Sequence, residues 1–178
     1  MIESPGEYLI HLLDTKGRIR NGGEVISVLE HSLQSAYLAA QRRLPEEMVV
    51  AALLHDVGYL LVDENLPHEQ VAYDFLTKQC RVPEVIACTI RDHTKAKIVL
   101  ARYPPYKARL SQGSLHSLEE QAGIYTEDDI QAFLKSPYKK ETLRLRVIDE
   151  HAKLVGVERS DVGTYSYLVL KHAKPLNK

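Results

Sequence analysis

Apolar residues recur through most of the chain at the three-to-four-residue spacing of amphipathic helices, and the breaks between these runs carry helix start and stop signals. Ser4-Pro5-Gly6-Glu7 ahead of YLIHLL offers an N-cap, a proline at the first helical position and a glutamate at the third. Gly17 stops the run, so a helix is expected over residues 5–16. From Val25 to Arg43, the positions Val25, Val28/Leu29, Ser32/Leu33, Ala36 and Ala39/Ala40 share one face and predict a second helix, whose other face carries Glu24, His31 and Gln34. Pro45-Glu46-Glu47 then opens MVVAALLHDVGYLLV, a segment apolar on nearly every face and expected as one helix at the centre of the molecule. Pro67–Gln79, Pro83–Tyr103, Thr126–Lys135 and Tyr138–Leu154 are further helical candidates. Residues 161–171, containing GTYSYLVL, fit a helix or a strand. Pro104-Pro105 and the stretch Ser111–Ser114 are expected as loop. The pattern predicts an all-α, compact helical domain.

At 178 residues the chain suits a single domain spanning 1–178, and 44% hydrophobic with 26% charged residues is the balance of a globular protein that builds its own core. The formal net charge of −1 gives no ground for a nucleic-acid or membrane-surface partner, so any anion site must be local. Cys80 and Cys88 match neither a redox pair nor a structural zinc half-site and are expected as reduced, packed thiols. The amino terminus has no basic segment leading into an apolar run, and the longest apolar stretch is interrupted by His55 and Asp56. No membrane span and a cytoplasmic location are the expectation; the pattern leaves the oligomeric state open.

His55 and Asp56 are the anomaly of the central helix, because a carboxylate in a segment that otherwise reads as buried needs compensation. Other imidazoles and carboxylates are available on separate predicted helices: His31, His68, His93 and Asp149. Six nitrogen and oxygen ligands with no thiolate disfavour a structural zinc site and suit iron, manganese or a similar ion, and a carboxylate such as Asp56 can bridge two metals. Lys97 follows His93 by four residues and Arg146 precedes Asp149 by three, so each cation shares a helical face with a candidate ligand and can help form an anion pocket.

The order His … His-Asp … His … His … Asp is the pattern of the HD-domain superfamily. The segments LEHSLQSAYLA, AALLHDVGYLL, HEQVAYDFL, RDHTKAKIVL, ARLSQGSLHSLEEQAG and LRLRVIDEHAK follow in sequence over about residues 20–155. Together they resemble the PhnZ-type mixed-valent diiron oxygenases of organophosphonate breakdown. The resemblance implies two iron ions, Fe(II) and Fe(III), with O2 as co-substrate, and oxidative cleavage of the C–P bond of a 1-hydroxyphosphonate such as 2-amino-1-hydroxyethylphosphonate to release phosphate. It assigns His31, His55, Asp56 and Asp149 to one iron and Asp56, His68 and His93 to the other. Lys97, Arg146 and Ser114 would bind the phosphonate, and Glu24 would meet the substrate ammonium.

Three positions depart from that group. Asn21 stands where a tyrosine often lies three residues before the glutamate, Tyr59 stands where a second histidine commonly follows the aspartate, and the stretch from Asp56 to His68 is shorter. Other uses of these residues stay open: Ser111 or Ser117 in place of Ser114, Glu24 as an N-terminal helix acid, Gln34 behind a ligand or on a polar strip, and Tyr59 lining the cavity or filling space. His11, His116, His151 and His172 have no matching context and are expected at structural or surface positions. Two rival functions share the ligand set: a metal-dependent phosphohydrolase acting on a nucleotide or other phosphate ester, and a non-catalytic ligand-binding domain.

Overall fold

A computed structural model describes residues 4–20, 24–61, 66–157 and 160–176; Asn21 and the end of the expected central helix at Val62 lie outside them. The helices are α1 (Pro5–Lys16), α2 (Val28–Gln41), α3 (Glu46–Leu54), α4 (Gly58–Leu61), α5 (His68–Lys78), α6 (Glu84–Ala101), α7 (Pro104–Lys107), α8 (Gln112–Ala122), α9 (Glu127–Lys135), α10 (Lys139–His151) and α11 (Gly163–His172). The expected all-α class holds, with one addition. Cys80–Arg81 (β1) pairs antiparallel with Lys174–Pro175 (β2), joining the turn after α5 to the carboxy-terminal segment. No helix among the described residues is long and apolar enough to cross a membrane.

Local signals set most of the boundaries. Ser4 with Glu7, Ser27 with Glu30 and Thr126 with Asp129 form reciprocal capping boxes at the starts of α1, α2 and α9. The second helix starts at Val28, three residues later than the apolar spacing suggests, because Ser27 takes the cap and leaves Glu24 and Val25 in the approach segment. The segment 161–171 resolves as helix from Gly163, and the Asp161 carboxylate, two residues before it, accepts from the Thr164 amide at 3.0 Å. Two expected loops are helix starts instead. Pro104 and Pro105 occupy the first turn of α7, where a missing amide hydrogen costs nothing. Ser111 caps α8 by accepting from the Ser114 amide at 3.1 Å, so the small polar residues there form its first turn.

The largest departure is in the centre. The segment from Pro45 to Val62 is not one helix: α3 ends at Leu54, and α4 begins at Gly58. Between them the chain tightens to bonds spanning three residues, with the Val57 amide on Leu54 O at 3.0 Å, Tyr59 on Asp56 O at 3.1 Å and Leu60 on Val57 O at 2.9 Å. In a continuous α-helix, adjacent side chains diverge by about 100°. The tightened turn lets His55 and Asp56 face the same point. Met48 to Leu54 are all buried, so α3 is the central rod expected from its composition, with α2, α6, α10 and α11 packed around it. α10 and α5 both lie along α6. This places the inward faces of α2, α5, α6 and α10 around the carboxy-terminal end of α3.

Gly58 sets the spacing of that arrangement. A Cβ built there would lie 1.8 Å from the carbonyl oxygen of His68, so the start of α5 rests directly on the backbone of α4. Gly58→Ala is therefore expected to push His68 outward, to destabilise the fold by roughly 1–3 kcal/mol as overpacking does, and to lower metal content. Thermal melts and elemental analysis read both effects; an unchanged melting temperature with full metal loading would contradict this close approach.

Candidate metal centre

Four imidazoles meet with their Nε2 atoms inward because each Nδ1 is held from behind. His31 Nδ1 donates to Ala152 O at 2.9 Å, His55 Nδ1 to Ala52 O at 2.9 Å and His93 Nδ1 to Ile90 O at 2.7 Å, while His68 Nδ1 lies 3.0 Å from the Glu69 carboxylate. A carbonyl only accepts, so Nδ1 carries the proton in the neutral ring and Nε2 presents a lone pair. Two of these carbonyls are at helix ends, Ala52 in the last turn of α3 and Ala152 at the cap of α10, where carbonyls lack helical partners.

The carboxylate of Asp56 lies between two imidazole pairs. Its Oδ2 is 3.6 Å from both His31 Nε2 and His55 Nε2, and its Oδ1 is 3.4 Å from His68 Nε2 and 3.7 Å from His93 Nε2. Asp149 joins only the first pair, with Oδ1 3.1 Å from His31 Nε2 and 3.9 Å from His55 Nε2. His31, His55 and Asp56, and separately Asp56, His68 and His93, each present ligand atoms close enough to hold one ion. All six expected ligands are thus brought together, in two sets sharing Asp56.

The donor chemistry fits two cations. Nε2 of His31 is 3.1 Å from Nε2 of His55, and Nε2 of His68 is 3.3 Å from Nε2 of His93; with both rings of a pair neutral and protonated on Nδ1 these are facing lone pairs, which a shared proton or a metal cation would satisfy. Electrostatics around the centre also call for positive charge. Burial opposes ionisation of Asp56, yet the surrounding histidines hold it well below the usual carboxylate range, and Arg146 and His31 do the same for Asp149. Burial likewise opposes a charged His68 ring, but Asp56 and Glu69 outweigh it and raise its pKa to about 9. Nitrogen and oxygen donors without thiolate suit iron or manganese.

A small cavity of about 60 Å³ opens beside the candidate ligands. Lys97, Ser114, Arg146 and Glu24 line it, and so does Tyr59, for which the sequence left lining and space-filling open. Lys97 is 5% exposed, and its Nζ donates to Ser117 Oγ at 2.8 Å; burial, reinforced by Arg146, lowers its pKa to about 8. The guanidinium of Arg146 is only 2% exposed and is already matched: Nη1 bonds Asp149 Oδ2, Nη2 bonds Glu150 Oε2 and reaches Ser114 Oγ at 3.2 Å, and Nε donates to Tyr106 at 2.9 Å. Arg146 therefore orients the candidate ligand Asp149 as well as facing the cavity. Tyr59 stacks on His68, with ring centroids 3.9 Å apart and planes 15° from parallel; burial raises its pKa, so it stays a neutral phenol. Gln34 touches no candidate ligand directly but supports one from further back, through the segment whose Ala152 carbonyl holds His31. Its amide bonds Leu154 O at 2.8 Å, Val157 O at 3.2 Å and the Leu154 amide at 3.0 Å, pinning the segment that follows Ala152.

Several contributors were not singled out from the sequence. Lys153 lines the cavity, pairs with Glu24 and donates to Ser114 Oγ at 2.9 Å; its position four residues after Asp149 was the available signal, by the same spacing argument that found Lys97. Glu150 accepts from the Ser111 amide at 2.6 Å and from Ser114 Oγ at 2.8 Å, fastening α8 to α10. Glu69, 1% exposed, supports His68 and is bonded by Thr94 Oγ1 at 2.9 Å and by Tyr125 OH. His11, His116 and His151 are exposed, and His172 pairs with Glu46 at 3.3 Å, in keeping with structural or surface positions. Cys80 and Cys88 are buried free thiols; burial pushes Cys80 up to about 12.

Comparison with known proteins defines the class. The HD domain family matches residues 28–151, and the chain belongs to that family. Within it, the chain is 33% identical over 173 residues to the [1-hydroxy-2-(trimethylamino)ethyl]phosphonate dioxygenase (glycine-betaine-forming) of Leisingera caerulea, covering 92% of this chain and 87% of that protein. It is 32% identical over 151 residues to the hydroxymethylphosphonate dioxygenase of Gimesia maris, covering 80% and 75%. An uncharacterised protein of Acanthamoeba polyphaga mimivirus is 29% identical over 175 residues, covering 92% and 80%.

The two-sided geometry of Asp56 predicts unequal losses. Asp56→Ala removes a ligand from both sets and is expected to lower metal content throughout, whereas Asp149→Ala removes a ligand from the His31–His55 set alone and leaves the other ion in place. Elemental analysis distinguishes them; equal retention in both variants would contradict the shared carboxylate. Lys97 adds a pH dependence. Its ammonium holds an anion only while protonated, so sulfate, whose charge is constant across this range, should bind about tenfold more weakly at pH 9 than at pH 7. Lys97→Met should flatten that step, as calorimetric titration would show.

Proposed function

We propose that the protein is a diiron oxygenase that cleaves the C–P bond of a small 1-hydroxyphosphonate with O2. The observation that carries this reading is the pairing of a two-sided metal cradle around Asp56 with a small cationic cavity at its edge. The kinship with two phosphonate dioxygenases supports it. In the balanced reaction the substrate carbon is oxidised to a carboxylic acid and the phosphorus leaves as phosphate. One O2 accepts the four electrons released, and both its atoms appear in the products.

Two irons held by His31, His55, Asp56 and Asp149 on one side and by Asp56, His68 and His93 on the other would supply O2 activation and electron transfer. The chain's own groups perform the rest. Lys97 meets the phosphonate as a point charge, with Ser114 and the cavity edge of Arg146 beside it. Arg146 and Glu150 fix one another, so the anion site is preorganised and Asp149 keeps its orientation. Glu69 holds the ring of His68 in the tautomer that leaves Nε2 free. Neutral Tyr59, flat against His68, covers the cavity side of that ligand and limits water.

The test is phosphate release from a panel of 1-hydroxyphosphonates by iron-loaded protein, with and without O2. Release that requires O2, with about two irons per chain, is the expected result. Hydrolysis of phosphate esters at equal rates without O2, or with manganese alone, would overturn it in favour of a hydrolase. Lys97→Ala is expected to raise KM for the phosphonate by about 10–100-fold, the worth of a charge-assisted bond, while iron content stays at the wild-type level.

A further inference from the structure

The charged groups of the cavity are unevenly matched. Arg146 is engaged by Asp149 and Glu150, and Glu24 is engaged by Lys153. Among the described residues, Lys97 is the cavity cation held only by a hydroxyl, that of Ser117. Glu24 is also fixed from its other side: a Cβ built on Gly113 would lie 2.7 Å from its carboxylate, so the side chain is pressed onto the first turn of α8. A substrate ammonium reaching Glu24 would have to displace an ammonium already bonded there. Nor do the described residues form a ring cage for a methylated cation. Tyr59 is the sole phenol or phenyl ring among the lining residues, and its face is taken up by His68.

Resting on the proposed function, we infer that the preferred substrate is a 1-hydroxyphosphonate with a short, uncharged tail, and that Lys153 is the residue that excludes a cationic one. The anionic head goes to Lys97, the free positive charge, and the tail meets the Lys153–Glu24 pair, which is neutral overall. A substrate cation placed there gains no unmatched carboxylate and faces Lys153 at close range, a like-charge contact that discriminates by repulsion. The relative from Leisingera caerulea acts on a phosphonate bearing a trimethylamino group, and the relative from Gimesia maris on hydroxymethylphosphonate; the arrangement here favours the second kind of chemistry.

The experiment compares kcat/KM of iron-loaded wild type for hydroxymethylphosphonate and 1-hydroxyethylphosphonate with that for 2-amino-1-hydroxyethylphosphonate and its trimethylated form. The uncharged pair should lead by at least about tenfold. Lys153→Met frees Glu24 and should shrink that ratio by about tenfold or reverse it, whatever it does to overall anion binding. Adding Glu24→Gln to Lys153→Met should cancel the gain for the cationic compounds, which a general loosening of the pocket would not do. A wild type that uses the cationic compounds equally well, or a Lys153→Met variant with an unchanged ratio, would overturn the inference. Should no phosphonate turn over, the oxygenase reading fails, and the same four compounds titrated calorimetrically into metal-loaded protein still decide this one. Tighter binding of the uncharged pair supports it, and equal or weaker binding overturns it.

Discussion

Four imidazole rings present Nε2 to the two oxygens of one carboxylate, an arrangement that favours positive charge between them. Each ring is oriented from behind: three by backbone carbonyls and His68 by the buried carboxylate of Glu69. Once the Nδ1 protons are committed outward, no rotation of a ring can relieve the crowding of Nε2 atoms at 3.1 and 3.3 Å. The helices of the domain are arranged to keep these ring nitrogens facing one another around Asp56, which is what suits the centre to metal ions.

The fold meets this demand by ending helices early. α3 stops at Leu54, so His55 and Asp56 can face the same centre, and the end of that helix leaves Ala52 O available to the His55 ring. α10 ends at His151, and the carbonyl of its cap, Ala152, holds His31 on α2. Gln34, one turn beyond His31, fastens the chain just after Ala152 and so keeps that carbonyl in place. The start of α5 brings His68 against Gly58 because no side chain intervenes. The anion site is built in the same way: Glu150 bonds the first turn of α8 and Arg146 together, so cavity hydroxyls and guanidinium move as one unit with Asp149.

The helical class and the ligand set were legible because both rest on local patterns. Capping residues, apolar periodicity and an ordered series of histidines and aspartates survive without knowledge of tertiary contacts. The break after Leu54 was hidden because the segment is apolar on every side, and periodicity has no signal for a change of hydrogen bonding inside a uniformly buried run. The polar first turn of α8 read as loop because Ser, Gln and Gly favour both caps and turns, and the choice was made by Ser111 capping and by Glu150 from another helix. Lys153 was missed for a different reason. Its spacing from Asp149 was visible, but its meaning came from Glu24, 129 positions away in the chain. A single sequence does not display long-range pairing of this kind.

In the proposed centre one carboxylate, Asp56, joins two metal ions held by separate histidine pairs. Anomalous diffraction at the iron edge from crystals of the iron-loaded protein tests it most directly. The account predicts two peaks about 3.5–4 Å apart, the usual separation of bridged metals, one against His31, His55 and Asp149 and the other against His68 and His93, with the Asp56 oxygens divided between them. A single peak, or two peaks with Asp56 bound to only one of them, would contradict it.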